Sequence, residues 1–318
     1  MSAYIIRRLL QALLVVIMVS FLVFILVRSL PGDPIEMVVT AGTAAAYSPE
    51  MIDALRAYHG LDRPVLVQYA NWMSRVIRGD LGRSLIQHYD ISTEIQSRIV
   101  VTLTIGLTAF FLSATIGPAL GIISAIRRGK LIDNIVTILA NIGVTAPVFW
   151  VAILLVYVFS LRLRVLPLFG FTLPWVDFGA SVRHGIMPVI VTALGPIAII
   201  ARQTRSSVLE VLSQDYIRTA WAKGGTERRV VYRHVIKNSL MPVVTLQGTM
   251  LRLVVGGSVV VERIFVIPGM GKMMVDGMLS RDYPVVQATA LVMTIVVVLS
   301  SLIVDLLYVW IDPRIHYS

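Results

Sequence analysis

The chain has 318 residues, of which 57 % are hydrophobic and 14 % charged, with no cysteine and a formal net charge of +10. The missing cysteines exclude disulfides, a thiolate metal site and a cysteine nucleophile. The positive charge does not point to nucleic acid, because basic residues flank membrane spans in any case and no basic segment of soluble-domain size is present.

A span must satisfy its own backbone in lipid, which takes about 20 mostly apolar helical residues across a hydrocarbon core of ~30 Å. Six stretches are read as spans: 9–27, 100–126, 135–161, 186–200, 240–261 and 285–311. The first follows Arg7 and Arg8 but is longer than the ~7–15 residues of a signal-peptide core. Pro31-Gly32-Asp33-Pro34 follows it where a small-residue cleavage site would stand, so a retained anchor is expected.

Six spans put both termini on one side. With the N-terminus inside, the segments 1–8, 127–134, 202–239 and 312–318 carry 14 Lys/Arg, against six in the short outer segments 162–185 and 262–284. The positive-inside bias therefore predicts cytoplasmic termini. The expected organisation is a first span over 1–30, an extracytoplasmic helical loop over 31–98, and a five-helix core over 99–318 that contains an inner loop at 202–239.

In the outer loop, Ser48-Pro49-Glu50 reads as a helix start and Gly60 as its stop. Pro64 begins a second helix, where Val65, Tyr69, Trp72 and Val76 recur at helical spacing until Gly79. Both are expected to fold over the outer ends of the spans, either as a packing cap or as a docking face or gate for a protein that delivers cargo.

Within the spans, Gly117, Gly121 and Ala125 form a small-residue face that lets another helix approach closely. Pro118, Pro147, Pro188, Pro196 and Pro242 each remove an intrahelical hydrogen bond and favour kinks. Two charges stand well inside apolar runs, Arg252 and Asp305. Their expected levels differ by ~10 Å, a long reach for a pair. Arg252 must face protein or water, and either lines a pathway or anchors on backbone carbonyls.

Enzymatic chemistry is not legible. The histidines at 59, 88, 184, 234 and 316 have no metal-ligand spacing, and no catalytic residue is assigned. Gly257-Ser258 lacks the rest of G-x-S-x-G. A phosphate loop at "PGMGKMM" would need glycine where Val266 stands and Ser or Thr where Met273 stands.

The segment 215–239, "DYIRTAWAKGGTERRVVYRHVIKNS", is the polar exception between apolar runs. It predicts a short helix from Gln214 to a stop at Gly224-Gly225, then a second helix capped by Thr226 and running toward Asn238. Tyr216, Ile217, Ala220 and Trp221 give the first helix an apolar surface that needs a partner. Arg229, Arg233 and Lys237 repel at i, i+4 spacing, which anionic lipid or an anionic partner offsets.

"DYIRTAWAKG" resembles the cytoplasmic coupling loop, or EAA loop, of permease subunits in ABC importers of the peptide and nickel type. "LPGDP" after the first span, "GLDRPVLVQYANWMSRVIRGDLGRSL" in the outer loop, "RDYPVVQATALV" entering the last span and "DPRI" near the C-terminus resemble that family's first permease subunit, in the same order along essentially the whole chain. The resemblance implies a type I importer permease fold in a bacterial inner membrane. It also implies a second homologous permease subunit, two ATPase subunits that use ATP and Mg, and an extracytoplasmic binding protein, with no cofactor bound by this chain. Arg218-Thr219-Ala220 takes the E-A-A position and Gly224 the following glycine, flanked by Asp215, Tyr216, Lys223 and Gly225. Two departures stand out: no Glu at the first motif position, and Pro242 18 residues after Gly224.

Peptides are the expected cargo, with nickel chelates, glutathione, opines and oligosaccharides as alternatives within the same class. A passive channel is the distant rival and would leave 215–225 tolerant of substitution. An intramembrane enzyme would need a catalytic pair that is not visible.

Overall fold

The computed structural model describes residues 2–29, 50, 62–256 and 259–311. Apart from Glu50, the expected helix at 48–60 lies outside them, as do "LPGDP", Gly257-Ser258 and "DPRI". The described residues form α1 (Ser2–Arg28), α2 (Val65–Ile77), α3 (Ile91–Ile126), α4 (Leu131–Thr145), α5 (Val148–Leu155) and α6 (Phe178–Leu212). There follow α7 (Asp215–Ala222), α8 (Glu227–Val230), α9 (Lys237–Val255), α10 (Val259–Ile264), α11 (Met270–Leu279) and α12 (Tyr283–Ile311). The architecture is all-α.

Among the described residues α1, α3, α6 and α12 are long and apolar enough to cross a membrane. The stretch expected as a single span over 135–161 is instead two helices. α4 and α5, the latter continued by a wider π-helical segment at Val156–Arg162, bend by 108° at their junction and make a fifth span only if taken together. Pro147 is the physical cause. Its ring forces the preceding residue out of the helical region, and Ala146 has ψ 127. The stretch expected as a span over 240–261 also differs: α9 stops at Val255 and α10 begins only at Val259. Asn238, Thr245, Gln247, Thr249 and Arg252 dilute its apolar character. Among the described residues four spans, or five, thus stand where six were expected.

The chain divides into two compact units. One comprises the described residues up to 102 together with 268–302, the other 103–267 and the rest of α12.

In the first unit, Ile91 and Ile95 of α3 pack with Met270 and Met273 of α11 and with Val285 and Ala288 of α12. Thr102 Oγ1 accepts the Met270 N–H at 2.9 Å. Asp90 caps α3, its carboxylate accepting the Thr93 N–H at 2.9 Å. Asp282 is buried just before α12, and its carboxylate accepts from Ser84 Oγ at 2.5 Å and from the Leu85 N–H at 3.2 Å. α2 packs on α1 through Tyr69 and Trp72.

The second unit is built on α6, a 35-residue helix with Pro188 and Pro196 inside it. Gly117, Gly121 and Ala125 of α3 face it as the small-residue spacing predicts. A Cβ on Gly117 would stand 2.7 Å from Ile200 Cγ2, and one on Gly121 2.5 Å from the Ala201 carbonyl. Gly143 of α4 comes as near, 2.9 Å from Ala198 Cβ. Val243 and Met250 of α9 also meet Ile200. Helices that pack this closely gain dispersion contacts that lipid chains cannot match.

A buried carboxylate ties these helices together. Asp133, in the first turn of α4, accepts from Arg205 of α6 through Nε at 2.7 Å and Nη2 at 2.9 Å. Its remaining lone pairs take Ser124 Oγ of α3 at 2.5 Å and the Gly129 N–H of the intervening turn at 2.9 Å. Removing one partner of such a pair strands the other, which costs more than the pair contributes as a whole.

Asp133→Ala is expected to destabilise by about 3 kcal/mol and Ser124→Ala by about 1 kcal/mol. Thermal unfolding of the detergent-solubilised protein should rank them in that order. Indistinguishable melting points would contradict the anchoring role of Asp133.

Candidate functional site

The polar segment after α6 forms as the sequence predicts. Gln214 stands at the N-cap of α7 with extended backbone, and Asp215 in the first turn favours the positive end of the helix dipole. The stop is a Schellman motif: the Gly224 N–H bonds to the Trp221 carbonyl at 2.9 Å and the Gly225 N–H to the Ala220 carbonyl at 3.2 Å. Gly224 has φ +80, a conformation that costs most side chains 1–2 kcal/mol. At Gly225 the requirement is space, since a Cβ would lie 2.8 Å from the Ala220 carbonyl and 2.9 Å from Val230 Cγ2.

One residue holds α7 down. Ile217 is 0 % exposed and packs with Ala125 at the end of α3, Val208 of α6, Val230 of α8 and Val235. Ala220 is half-buried on the same side. Tyr216, Arg218, Thr219, Trp221 and Lys223 are exposed. The expected apolar face thus splits: Ile217 and Ala220 turn inward, while Tyr216 and Trp221 remain outside, with Tyr216 Oη 3.3 Å from Asn238 Nδ2.

The charges on this surface are not locked. Arg218 reaches Asp215 only at 3.5 Å, with the two side chains 73 % and 96 % exposed. A pair so solvated contributes little and leaves both groups open to other contacts. The second helix does not end near Asn238: α8 passes through a π-helical segment, Val231–Ile236, directly into α9. Arg229, Arg233 and Lys237 are exposed along it.

Arg252 lies apart from this surface, half-buried near the end of α9, with Nη2 donating to Thr249 Oγ1 at 3.2 Å. Asp305 is half-buried on α12. Among the described residues no group of three or more His, Cys, Asp or Glu gathers as metal ligands would. The seat of α7 escapes a reading by composition, because Ala125, Val208, Val230 and Val235 are apolar residues among many. Asp133 and Arg205 were missed as well. The one available signal was an acid standing in an otherwise basic inner segment.

Comparison with known proteins bears on the whole chain. Residues 117–317 match the family described as binding-protein-dependent transport system inner membrane component, and residues 1–90 match the N-terminal model of such membrane components. A putative peptide transport system permease protein of Brucella suis is 41 % identical over the full length of both chains. The oligopeptide transport system permease protein AppB of Bacillus subtilis is 38 % identical, again over the full length of both. Among solved structures, a chain of the inward-facing MetNI methionine ABC transporter is similar with a TM-score of 0.55 and 18 % identity, over 69 % of this chain and 96 % of that one. That likeness carries the fold alone.

Ile217→Ala removes the one fully buried contact of α7 and is expected to cost about 2–4 kcal/mol locally. Amide hydrogen exchange over 215–222 should then rise sharply, with exchange in α6 nearly unchanged. Continued protection of α7 would show that other residues hold it.

Proposed function

The chain belongs to the family of binding-protein-dependent transport system inner membrane components, a permease subunit of the peptide type of ABC importer, and from that premise we propose that α7 is its coupling helix. Asp215, Tyr216, Arg218, Thr219, Ala220, Lys223, Gly224 and Gly225 form the surface and the stop of this helix, which docks on a separate ATPase subunit. Closure of the ATPase pair around ATP and Mg moves α7, and α7 moves the spans on which Ile217 is seated. The observation that carries this reading is the seat itself. A helix pinned by one buried residue to the ends of α3 and α6 presents its other sides to a partner and transmits a push to both helices.

The full assembly pairs this chain with a second homologous permease, two ATPases and an extracytoplasmic binding protein, the composition that family membership implies. Both termini are cytoplasmic and the outer segment 31–98 faces the binding protein. The 14-to-six distribution of Lys and Arg supports that orientation. The membrane is crossed six times, with the bent α4–α5 pair as one crossing and α9 as another. α9 crosses despite its polar residues: Val243 and Met250 pack on α6, and Gln247 Nε2 donates to the Ala114 carbonyl at 3.1 Å, so that this amide need not face lipid. Peptides are the cargo, as the names of the full-length relatives suggest. Arg252 lines the pathway near the end of α9.

The geometry determines which substitutions are informative. A bulky residue at Ala220 would disturb the chain's own packing, since that side chain faces the Ile217 cluster. Tyr216 and Arg218 are exposed, so Tyr216→Ala with Arg218→Glu tests docking without unseating the helix. In vesicles holding the complete transporter, the double variant should hydrolyse ATP at a rate no longer stimulated by loaded binding protein, and peptide uptake should fall at least tenfold, or ~1.4 kcal/mol of coupling. Normal uptake would overturn the assignment. Arg252→Ala should lower uptake while the subunits still co-purify in full, and unchanged uptake would remove Arg252 from the pathway.

A further inference from the structure

Helix α2 was expected to cap the spans, yet its contacts place it beside them. Tyr69 Oη lies 2.8 Å from Ser20 Oγ and donates to the Ile17 carbonyl at 3.4 Å. Its ring meets those of Phe21 and Phe24 edge-on. At ~1.5 Å per residue, Ile17 and Ser20 lie roughly 16 and 12 Å along α1 from its Arg28 end. Trp72 packs with Phe24 and with Leu291, which is itself about 12 Å into α12 from Tyr283. The apolar run of α1 continues to Val27. Two helices measured from their own ends thus put α2 level with their hydrocarbon-spanning residues.

At that depth α2 is three-sided. Tyr69, Trp72 and Val76 face α1 and α12. Leu66 and Ile77, 66 % and 79 % exposed, share a second, apolar flank with Ala70. Asn71, Ser74, Arg75 and, just past the helix, Arg78 are exposed on the third, which carries no acid and one exposed apolar residue, Val67. The deeper end of α2 is its start, because Tyr69 reaches Ile17, whereas Leu81 beyond its end packs with Ile91 and Val285 at the starts of α3 and α12. Exposed Asp62 and Arg63 stand just before that deeper end. Charges at such a level require water rather than acyl chains.

We propose that α2 is a membrane-inserted helix that walls the translocation pathway: its Leu66 and Ala70 flank takes lipid acyl chains, and its Asn71 and Arg75 flank faces pathway water, where Arg75 receives a carboxylate of the cargo. This rests on the permease reading and adds to it a lining element drawn from the outer loop. An amphipathic helix with water on one side and lipid on the other is stable at this depth only as such a partition, since its own backbone bonds are satisfied and its polar side chains are not left in hydrocarbon.

The chain has no native cysteine, so single-cysteine variants at 66, 70, 71 and 75 report without background from this subunit. In vesicles holding the complete transporter, each is exposed to a membrane-impermeant methanethiosulfonate, and modification of this chain is followed by mass. Asn71→Cys and Arg75→Cys should react at least about tenfold faster than Leu66→Cys and Ala70→Cys, because a thiol in apolar surroundings forms little thiolate. A saturating peptide delivered by the binding protein should slow modification of Arg75→Cys and leave that of Leu66→Cys unaltered. Equal rates at all four positions would place α2 above the bilayer and overturn the proposal. Unslowed labelling at 75 would remove the cargo contact. ATP-driven uptake by the unsubstituted chain is measured in the same vesicles. Its absence would count against the permease reading, independently of the labelling contrast.

Discussion

A carboxylate buried where two membrane helices turn is tolerable only if every lone pair is met, and Asp133 meets that condition with Arg205, Ser124 and the Gly129 N–H. Those partners come from α6, from the last turns of α3 and from the turn itself, so one side chain fixes three helix ends. Ser124 is followed by Ala125, and Ala125 is part of the seat of Ile217. The register of the polar cluster therefore sets the register of the apolar one. The exposed surface of α7 thus inherits its position from a buried ion pair outside its own helix.

The same economy governs the packing around α6. Lipid is as apolar as leucine, so helices associate through close contact rather than through exclusion of water. Gly117, Gly121 and Gly143 each remove a side chain at a point where a neighbouring backbone or branched residue of α6 comes within contact distance. A rigid block of α3, α4 and α6 follows. Such a block can carry a displacement at its α7 end along whole helices instead of absorbing it in loose side chains.

Proline and glycine both end helices along the chain, by different means. Pro147 breaks what hydropathy alone treats as one span, because it forces Ala146 into an extended conformation. Gly224 and Gly225 end α7 within two residues, one by adopting φ +80 and the other by making room for Val230. Such sharp termination leaves Trp221 and Lys223 at a defined edge, not on a fraying turn. In the other unit, α2 combines an aromatic packing face with separate apolar and polar flanks, a distribution that suits a boundary between lipid and water better than a cap in bulk solvent.

Local and periodic features were legible in the sequence because short-range physics decides them. The short helix at 215–222, its double-glycine stop, the small-residue face of α3 and the start of α2 after Pro64 all arise from neighbours within a few residues. The quoted motifs carried the family for a related reason, since they are contiguous strings. What the tertiary structure alone decided are the relations between distant residues: Asp133 with Arg205, Ser84 with Asp282, Ile217 with Ala125 and Val208, and Tyr69 with Ile17. The span count shifted for the same reason, because hydropathy sums apolar residues along a window and does not see the bend at Pro147. Composition establishes that a residue must be sheltered, but which partner shelters it depends on how the helices pack.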